Sequence, residues 1–182
     1  MEIIKEGIGK GKWAIQNVDD LILLSKRPNL WESHFIQKAD LDLEGVEFLP
    51  IGNTLIPFDG SFDGNGRAIE NLTVIYPSQQ AIGLFGCCDR KANIQNVKLT
   101  NCTITGAGEV GGICGLNQGG RIQFCEVYGT IKATELFDSA GCVVGCNCDN
   151  GIVDENIGIC TIITDKEVFT NDLEIGNYIG ET

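Results

Sequence analysis

Hydrophobic and polar positions alternate along most of this chain with a period of two, after one short helical stretch near its start. The run from Asn17 to Lys26 reads as that helix, with Asn17 as N-cap, Asp19 and Asp20 in the first turn and Lys26 in the last. Pro28 stops it. From His34 to Leu43 the pattern settles into alternation. Ala39, Leu41 and Leu43 fall on one face and Asp40 and Asp42 on the other, which predicts a strand with one wet face.

Beyond residue 60 the chain copies itself. Ala81-Ile82-Gly83-Leu84-Phe85-Gly86, Val110-Gly111-Gly112-Ile113-Cys114-Gly115 and Ala140-Gly141-Cys142-Val143-Val144-Gly145 line up at spacings of 29 and 30 residues. A polar turn and an apolar alternation follow each copy: Ile94-Gln95-Asn96-Val97-Lys98-Leu99, Ile122-Gln123-Phe124-Cys125-Glu126-Val127, and a degraded Ile152-Val153-Asp154-Glu155-Asn156-Ile157. A half-copy, Ile69-Glu70-Asn71-Leu72-Thr73-Val74, precedes the first. The unit therefore holds two or three short strands joined by Gly/Asn turns, and alone it cannot bury its apolar face. A propeller needs at least four blades of roughly 40 residues, more than this chain supplies. A sandwich does not require neighbouring strands to copy each other.

Stacking equivalent residues about 4.8 Å apart explains both the copying and the small residues at corners. The expected fold is all-β: a short right-handed parallel β-helix of about three coils with an N-terminal capping helix. Its stacked interior is expected to hold Leu84, Ile94, Val97, Leu99, Ile113, Ile122, Val127, Ile131 and Val143, with Cys114 and Cys125 replacing core hydrophobes. Residues 1–12 read as a flexible leader, 13–164 as a single domain and 165–182 as an acidic C-terminal cap or tail.

Composition narrows the function. With 182 residues, 43% apolar and 21% charged, the chain is long and hydrophobic enough for one cored domain. Thirteen Lys plus Arg against twenty-five Asp plus Glu leave a net charge of −12, which sets it against nucleic acid and anionic lipid. No apolar run approaches the ~20 residues of a membrane span. The N-terminal MEIIKEGIGKGKW lacks the apolar stretch of a signal peptide.

The segments Phe48-Leu49-Pro50-Ile51-Gly52-Asn53, Pro57 to Leu72 with its Asp59-Gly60-Ser61-Phe62-Asp63-Gly64 turn, Gly83-Leu84-Phe85-Gly86 and Val110 to Gly115 together resemble GLUG-motif proteins. Trp13 to Leu43 is similar to the helix-then-strand opening of that family. The resemblance covers residues 13 to 133, with weaker cover to 163. It implies a β-helical module of adhesin-like bacterial surface proteins, at the cell surface or secreted. Two features depart from it: Gly-Leu-Val-Gly becomes Gly-Ile-Cys-Gly and then Cys-Val-Val-Gly, and a secretion signal is lacking. If Met1 is the native start, the thiols belong to a reducing cytoplasm instead.

Several constellations could carry chemistry. Nine cysteines are too few for a disulfide scaffold and odd in number. The cluster Cys142, Cys146, Cys148, with Cys87 or Cys88, has neither zinc-knuckle nor ferredoxin spacing, so buried thiols are the better reading and no metal is expected. Across neighbouring coils two of these positions could pair in an oxidising compartment. Asp59, Ser61, Asp63 and Glu70 copy the ligand spacing of a calcium loop, but Gly66 stands where an aliphatic residue belongs and the flanks read as strand; paired Asp-Gly and Asn-Gly turns explain them as well. Gly7-Ile8-Gly9-Lys10-Gly11-Lys12 fails the phosphate-loop pattern because Trp13 follows the lysine.

His34 is the single histidine and lies at a strand start, a packed or surface position rather than that of a base. Asp40 and Asp42, alternate residues ~6.6 Å apart on a wet strand face, form the best carboxylate pair for a polysaccharide hydrolase or lyase. Enzymes of that architecture have many more coils, with long loops walling a groove. The reading that remains is a non-catalytic binding or interaction module without cofactor, taking a protein or a neutral glycan. A carbohydrate-active enzyme and a structural protein self-associating through its coil ends are the alternatives.

Overall fold

A computed structural model describes residues 12–134 and 139–164, and the backbone of 168–172. The chain opens with β1 (Lys12–Ile15), α1 (Val18–Ser25) and a 3-10 turn at Pro28–Leu30. A first coil follows with β2 (His34–Gln37) and β3 (Leu41–Asp42). The second has β4 (Ser61–Asp63), β5 (Ala68–Glu70), β6 (Thr73–Tyr76) and β7 (Phe85–Cys88). The third runs through β8 (Asn93–Gln95), β9 (Lys98–Gly106), β10 (Val110–Gly111) and β11 (Cys114–Gln118). The fourth repeats it as β12 (Arg121–Gln123), β13 (Glu126–Ala133), β14 (Ala140–Gly141) and β15 (Val144–Cys148). β16 (Ile152–Asp154), β17 (Ile157–Ile163) and β18 (Val168–Asp172) begin a further turn.

This is a parallel β-solenoid of about four turns, one more than the sequence copies suggest. The extra turn is the first coil, which pairs in register with the later ones without copying their Gly-rich segment.

One wall is a six-stranded parallel sheet in the order β1-β2-β4-β8-β12-β16, and a second runs β18-β17-β13-β9-β5-β3, with β6 also on β9. The third wall is β15-β11-β7, prolonged by bridges from Ile51 to Phe85 and Phe58 to Cys88. β18 is the exception in direction, antiparallel on β17. Inside, equivalent side chains stack. Phe35, Phe62, Ile94, Ile122 and Val153 form one column, and Leu41, Ile69, Leu99 and Val127 another. All eleven side chains expected in the interior, Cys114 and Cys125 among them, are fully buried.

α1 begins where expected: the Asn17 side chain accepts from the Asp20 N–H at 3.0 Å, and Asp20 in turn accepts from Gln16 N. Leu21 and Leu24 face the common core, and Trp31 Nε1 donates to Leu24 O at 2.9 Å, which ties the helix end to the first coil. At eight residues it is far too short to cross a membrane.

The corners explain where the alternation misleads. His34 to Leu43 is two strands in two walls, because the chain bends at residues 38–40 while keeping its inward parity. Buried Gln37 braces that bend, donating from Nε2 to Ala39 O and Ala68 O. Ile69-Glu70-Asn71-Leu72 is not the equivalent of Ile94-Gln95-Asn96-Val97; Ile69 pairs with Leu99, one corner further on. Both corners use a left-handed Asn, which is why they look alike. In the last copy the partner of Ile122 is Val153, so Ile152 turns outward. At the start of the Gly-rich segment Ile82, not Ala81, faces Val110.

Polar ladders hold the corners. Asn101 Nδ2 donates to Asn71 Oδ1, and Asn71 Nδ2 to Asp42 Oδ1 at 2.8 Å. In the third wall, buried Asn117 bonds to Gly120 and to Asn147 of the next coil. Gly129 lies between Cys102 and Cys160 in register; a Cβ there would run into Cys102 O and Sγ, so no larger residue fits.

Candidate binding face

On the six-stranded wall, period two turns every second side chain outward. One outward row is Lys12, His34, Ser61, Asn93, Arg121 and Ile152; the next is Ile36, Asp63, Gln95, Gln123 and Asp154. Successive members are one strand apart, about 4.8 Å. His34 Nδ1 and Ser61 Oγ lie 2.9 Å apart, and Arg121 Nη1 donates to Gln123 Oε1 at 3.0 Å. Gln95 Nε2 donates to Asp63 Oδ2 at 3.1 Å. A cavity of about 160 Å³ opens among Lys12, His34, Ser61, Asp63, Asn93 and Gln95. Partial burial works against the Asp63 carboxylate, but hydrogen bonds from Asn96, the Asn65 N–H and Gln95, with the Lys12 charge, bring its pKa below the ordinary value.

At the edge of this face the chain turns into the next wall through one left-handed residue per coil: Asn96 (φ 54°), Phe124 (φ 56°) and Glu155 (φ 53°). Asn visits this region readily, whereas a bulky side chain is disfavoured there by about 1 kcal/mol or more. Phe124 is nevertheless 48% exposed, and the inward place at its corner is taken by Cys125. The Arg121–Gln123 pair precedes it, and Lys98, bonded to Glu126 at 3.0 Å and 5.8 Å from the Tyr128 ring centroid, flanks the other side.

The residues singled out in the sequence are dispersed. Asp40 accepts from Ala68 N and pairs with Arg67 at 3.8 Å; Asp42 accepts from Asn71 and Glu44 N, which lowers its pKa. Each carboxylate thus fastens a corner. Asp59 holds Lys91 through both its Nζ and its N–H at 2.9 Å, Ser61 faces His34, Asp63 faces Asn96 and Gln95, and exposed Glu70 lies in register with Asp42. Four calcium-loop positions therefore have four separate sets of neighbours. His34 is exposed on the outer face of the six-stranded wall. Gly7 to Gly11 lie outside the described residues, and Lys12 opens β1.

All nine cysteines are free thiols. Cys142 faces the core and hydrogen-bonds with Cys160, a bond that with burial holds Cys160 protonated. Cys146 and Cys148 are half-buried on β15. Cys88 is inside, its Sγ 3.4 Å from that of Cys114, while Cys87 donates to Gln118 Oε1. Burial pushes Cys87, Cys102 and Cys125 up to about 12. Among the described residues no three His, Cys, Asp or Glu side chains converge as a metal site.

Two exposed features escape pattern reading. Phe124 is one, although its signal was present: it replaces Asn96 of the preceding copy. The other is a knob in the first coil, where six residues lie between Ile51 and Phe58 but two between their partners Phe85 and Cys88. Asn53 Oδ1 accepts from Leu55 N and Ile56 N, presenting Leu55 at 91% exposure.

No protein-family model matches the sequence. The chain is similar to halomucin of Haloquadratum walsbyi, 26% identical over 162 residues; the match covers 82% of this chain but 2% of halomucin. It is also similar to a crystal structure from Bacteroides ovatus, provisionally assigned as an immunoglobulin A1 protease. The TM-score is 0.54 and the identity 13%, over 88% of this chain and 79% of that one. At that identity the likeness is one of fold.

Proposed function

We propose that the chain is a non-catalytic, adhesin-like β-helical module of a surface-associated protein, binding a protein or glycan partner on the outer face of its six-stranded wall. The observation that carries this reading is the pair of outward rows on that wall, which repeat hydrogen-bonding side chains at one-strand intervals across consecutive coils. Such a row suits an extended ligand. Similarity to halomucin and the motif likeness to GLUG proteins support the surface placement. The net charge of −12 disfavours nucleic acid and anionic membranes. The structural alternative uses the strands β15 and β16, at which their sheets end among the described residues.

A glycan array and capture by immobilised surface proteins, run beside a measurement of solution mass, test the reading. Retention of a glycan or protein by the wild type but not by an Asn93→Ala/Gln95→Ala/Gln123→Ala variant is expected. Depolymerisation of a polysaccharide that Asp40→Asn or Asp42→Asn abolishes would overturn it. Among the described residues, the His34–Ser61 contact is the feature that favours an enzyme. A Ser–His nucleophile needs a third group to orient the imidazole. The nearby Asp63 carboxylate is instead engaged by Asn65, Asn96 and Gln95.

A further inference from the structure

We infer that the corner at Phe124 is a carbohydrate subsite, in which the phenyl ring stacks on one pyranose of a neutral glycan while Gln95, Gln123 and Asp154 bond hydroxyls of that sugar and of its neighbours along the chain. This deepens the binding-module reading and rests on it.

The first observation is conformational. Three successive coils turn this corner through the same left-handed backbone, and the third coil uses Asn, the residue suited to it. The fourth coil places an aromatic ring there, against its backbone preference and without burying it. Strain of this kind accumulates at functional sites, and a bulky ring left half in water gives nothing back for it, whereas Asn96 and Glu155 at the equivalent places are polar.

The second observation is chemical. Phe124 follows directly on Gln123, whose register partners are Gln95 on one side and Asp154 on the other. An aromatic face beside a row of amides and a carboxylate is what a pyranose requires, since it offers C–H bonds on its flat faces and hydroxyls around its rim. The row advances by one strand per member, a step close to the length of one sugar unit in an extended chain.

Surroundings separate this ligand from a protein hot spot. An anchor for a protein surface lies inside an apolar, water-excluding ring. Phe124 instead has Asn96 and Glu155 at the same corner of the coils on either side, and Gln123 and Glu126 close by in the chain; exposed Ile157, in register with Glu126, adds an apolar side chain but no closed ring. With a net charge of −12, a neutral glycan meets no repulsion that an anionic one would.

The test uses the whole chain against a panel of neutral hexasaccharides (cellohexaose, chitohexaose, xylohexaose and mannohexaose) beside a uronic-acid oligomer, with affinities by calorimetry. One neutral oligosaccharide is expected to bind, Phe124→Tyr to hold its affinity within about threefold, and Phe124→Asn to weaken it at least tenfold, about 1.4 kcal/mol. Phe124→Asn is also expected to raise Tm by about 2–4 °C, because Asn relieves the backbone. Better folding with worse binding is a result that mere structural damage cannot produce. Equal binding by wild type and Phe124→Asn overturns the subsite, yet leaves the binding module standing if Gln95→Ala and Gln123→Ala weaken it. Preference for the uronic-acid oligomer overturns the subsite. Failure to bind any glycan also overturns it, and the module reading then falls only if protein capture fails too.

Discussion

Asn117 offers the sharpest test of what holds the coils in register. Its side chain is fully buried, donates from Nδ2 to Gly120 O at 3.0 Å and to Asn147 Oδ1 at 2.8 Å, and accepts from Gly120 N at 3.1 Å. Asn117→Ala leaves the N–H of buried Gly120 without a partner and without a route to water, at about 1–3 kcal/mol, whereas Gly120 O keeps the Ile152 N–H at 2.9 Å. Asn147 is half-buried and can turn to solvent, so its share is small. The expected loss is therefore about 2–3 kcal/mol, a sizeable part of a typical domain's 5–15 kcal/mol.

Asn147→Ala breaks the bond to Asn117 and one to Gly151 O at 2.8 Å, both at a wetter site, and should lose about 1 kcal/mol. Urea denaturation with an unchanged m-value measures both, and the double variant should show coupling of about 1 kcal/mol. A loss below about 1 kcal/mol for Asn117→Ala, or one no larger than for Asn147→Ala, refutes the ladder's role.

Three further outcomes are expected. The Asp63 carboxylate has its pKa lowered by folding, so its contribution is complete above the unfolded value of ~3.9 and is lost as pH falls through the lower folded value. Urea midpoints followed from pH 6 down to about pH 2 should fall less for Asp63→Asn than for the wild type; equal slopes would show that the carboxylate contributes nothing. Millimolar calcium or a chelator should leave Tm unchanged, because Asp59, Ser61, Asp63 and Glu70 face different neighbours; a rise of several degrees would mark a site. Native alkylation at pH 8, read by mass spectrometry, should label Cys146 and Cys148 first. Cys87, Cys102 and Cys125, with pKa about 12, hold roughly one thiolate in ten thousand at that pH, and early labelling of these three would contradict their burial.

The interior was legible because a solenoid stacks like on like. Leu84, Ile113 and Val143 recur in the sequence because they occupy successive places in one stack, so the copy is the packing. Corners were harder to read. A bend that preserves inward parity, as at residues 38–40, leaves no mark on a pattern of alternation, and two different corners sharing a left-handed Asn look like the same place twice. The last copy slipped by one because Ile152 and Val153 are both apolar and periodicity alone cannot rank them; neighbouring Arg121 and Ile122 decide it. The cysteine cluster divided for a related reason: Cys142 lies inside while Cys146 and Cys148 sit further along the wall, half-buried. Phe124 was visible as an oddity, but an apolar residue in an apolar repeat reads as core until the backbone shows otherwise.

The strands run across the solenoid and their hydrogen bonds along it, and each coil touches only the coils beside it. Held at one end and pulled through the chain at the other, such a molecule peels rather than ruptures. Each coil released frees the 28 residues from Ile94 to Arg121, or an equivalent length, which extend to roughly 90–100 Å. The remaining coils keep their contacts while this happens. Loaded in this way the fold gives up its length in steps, one coil at a time.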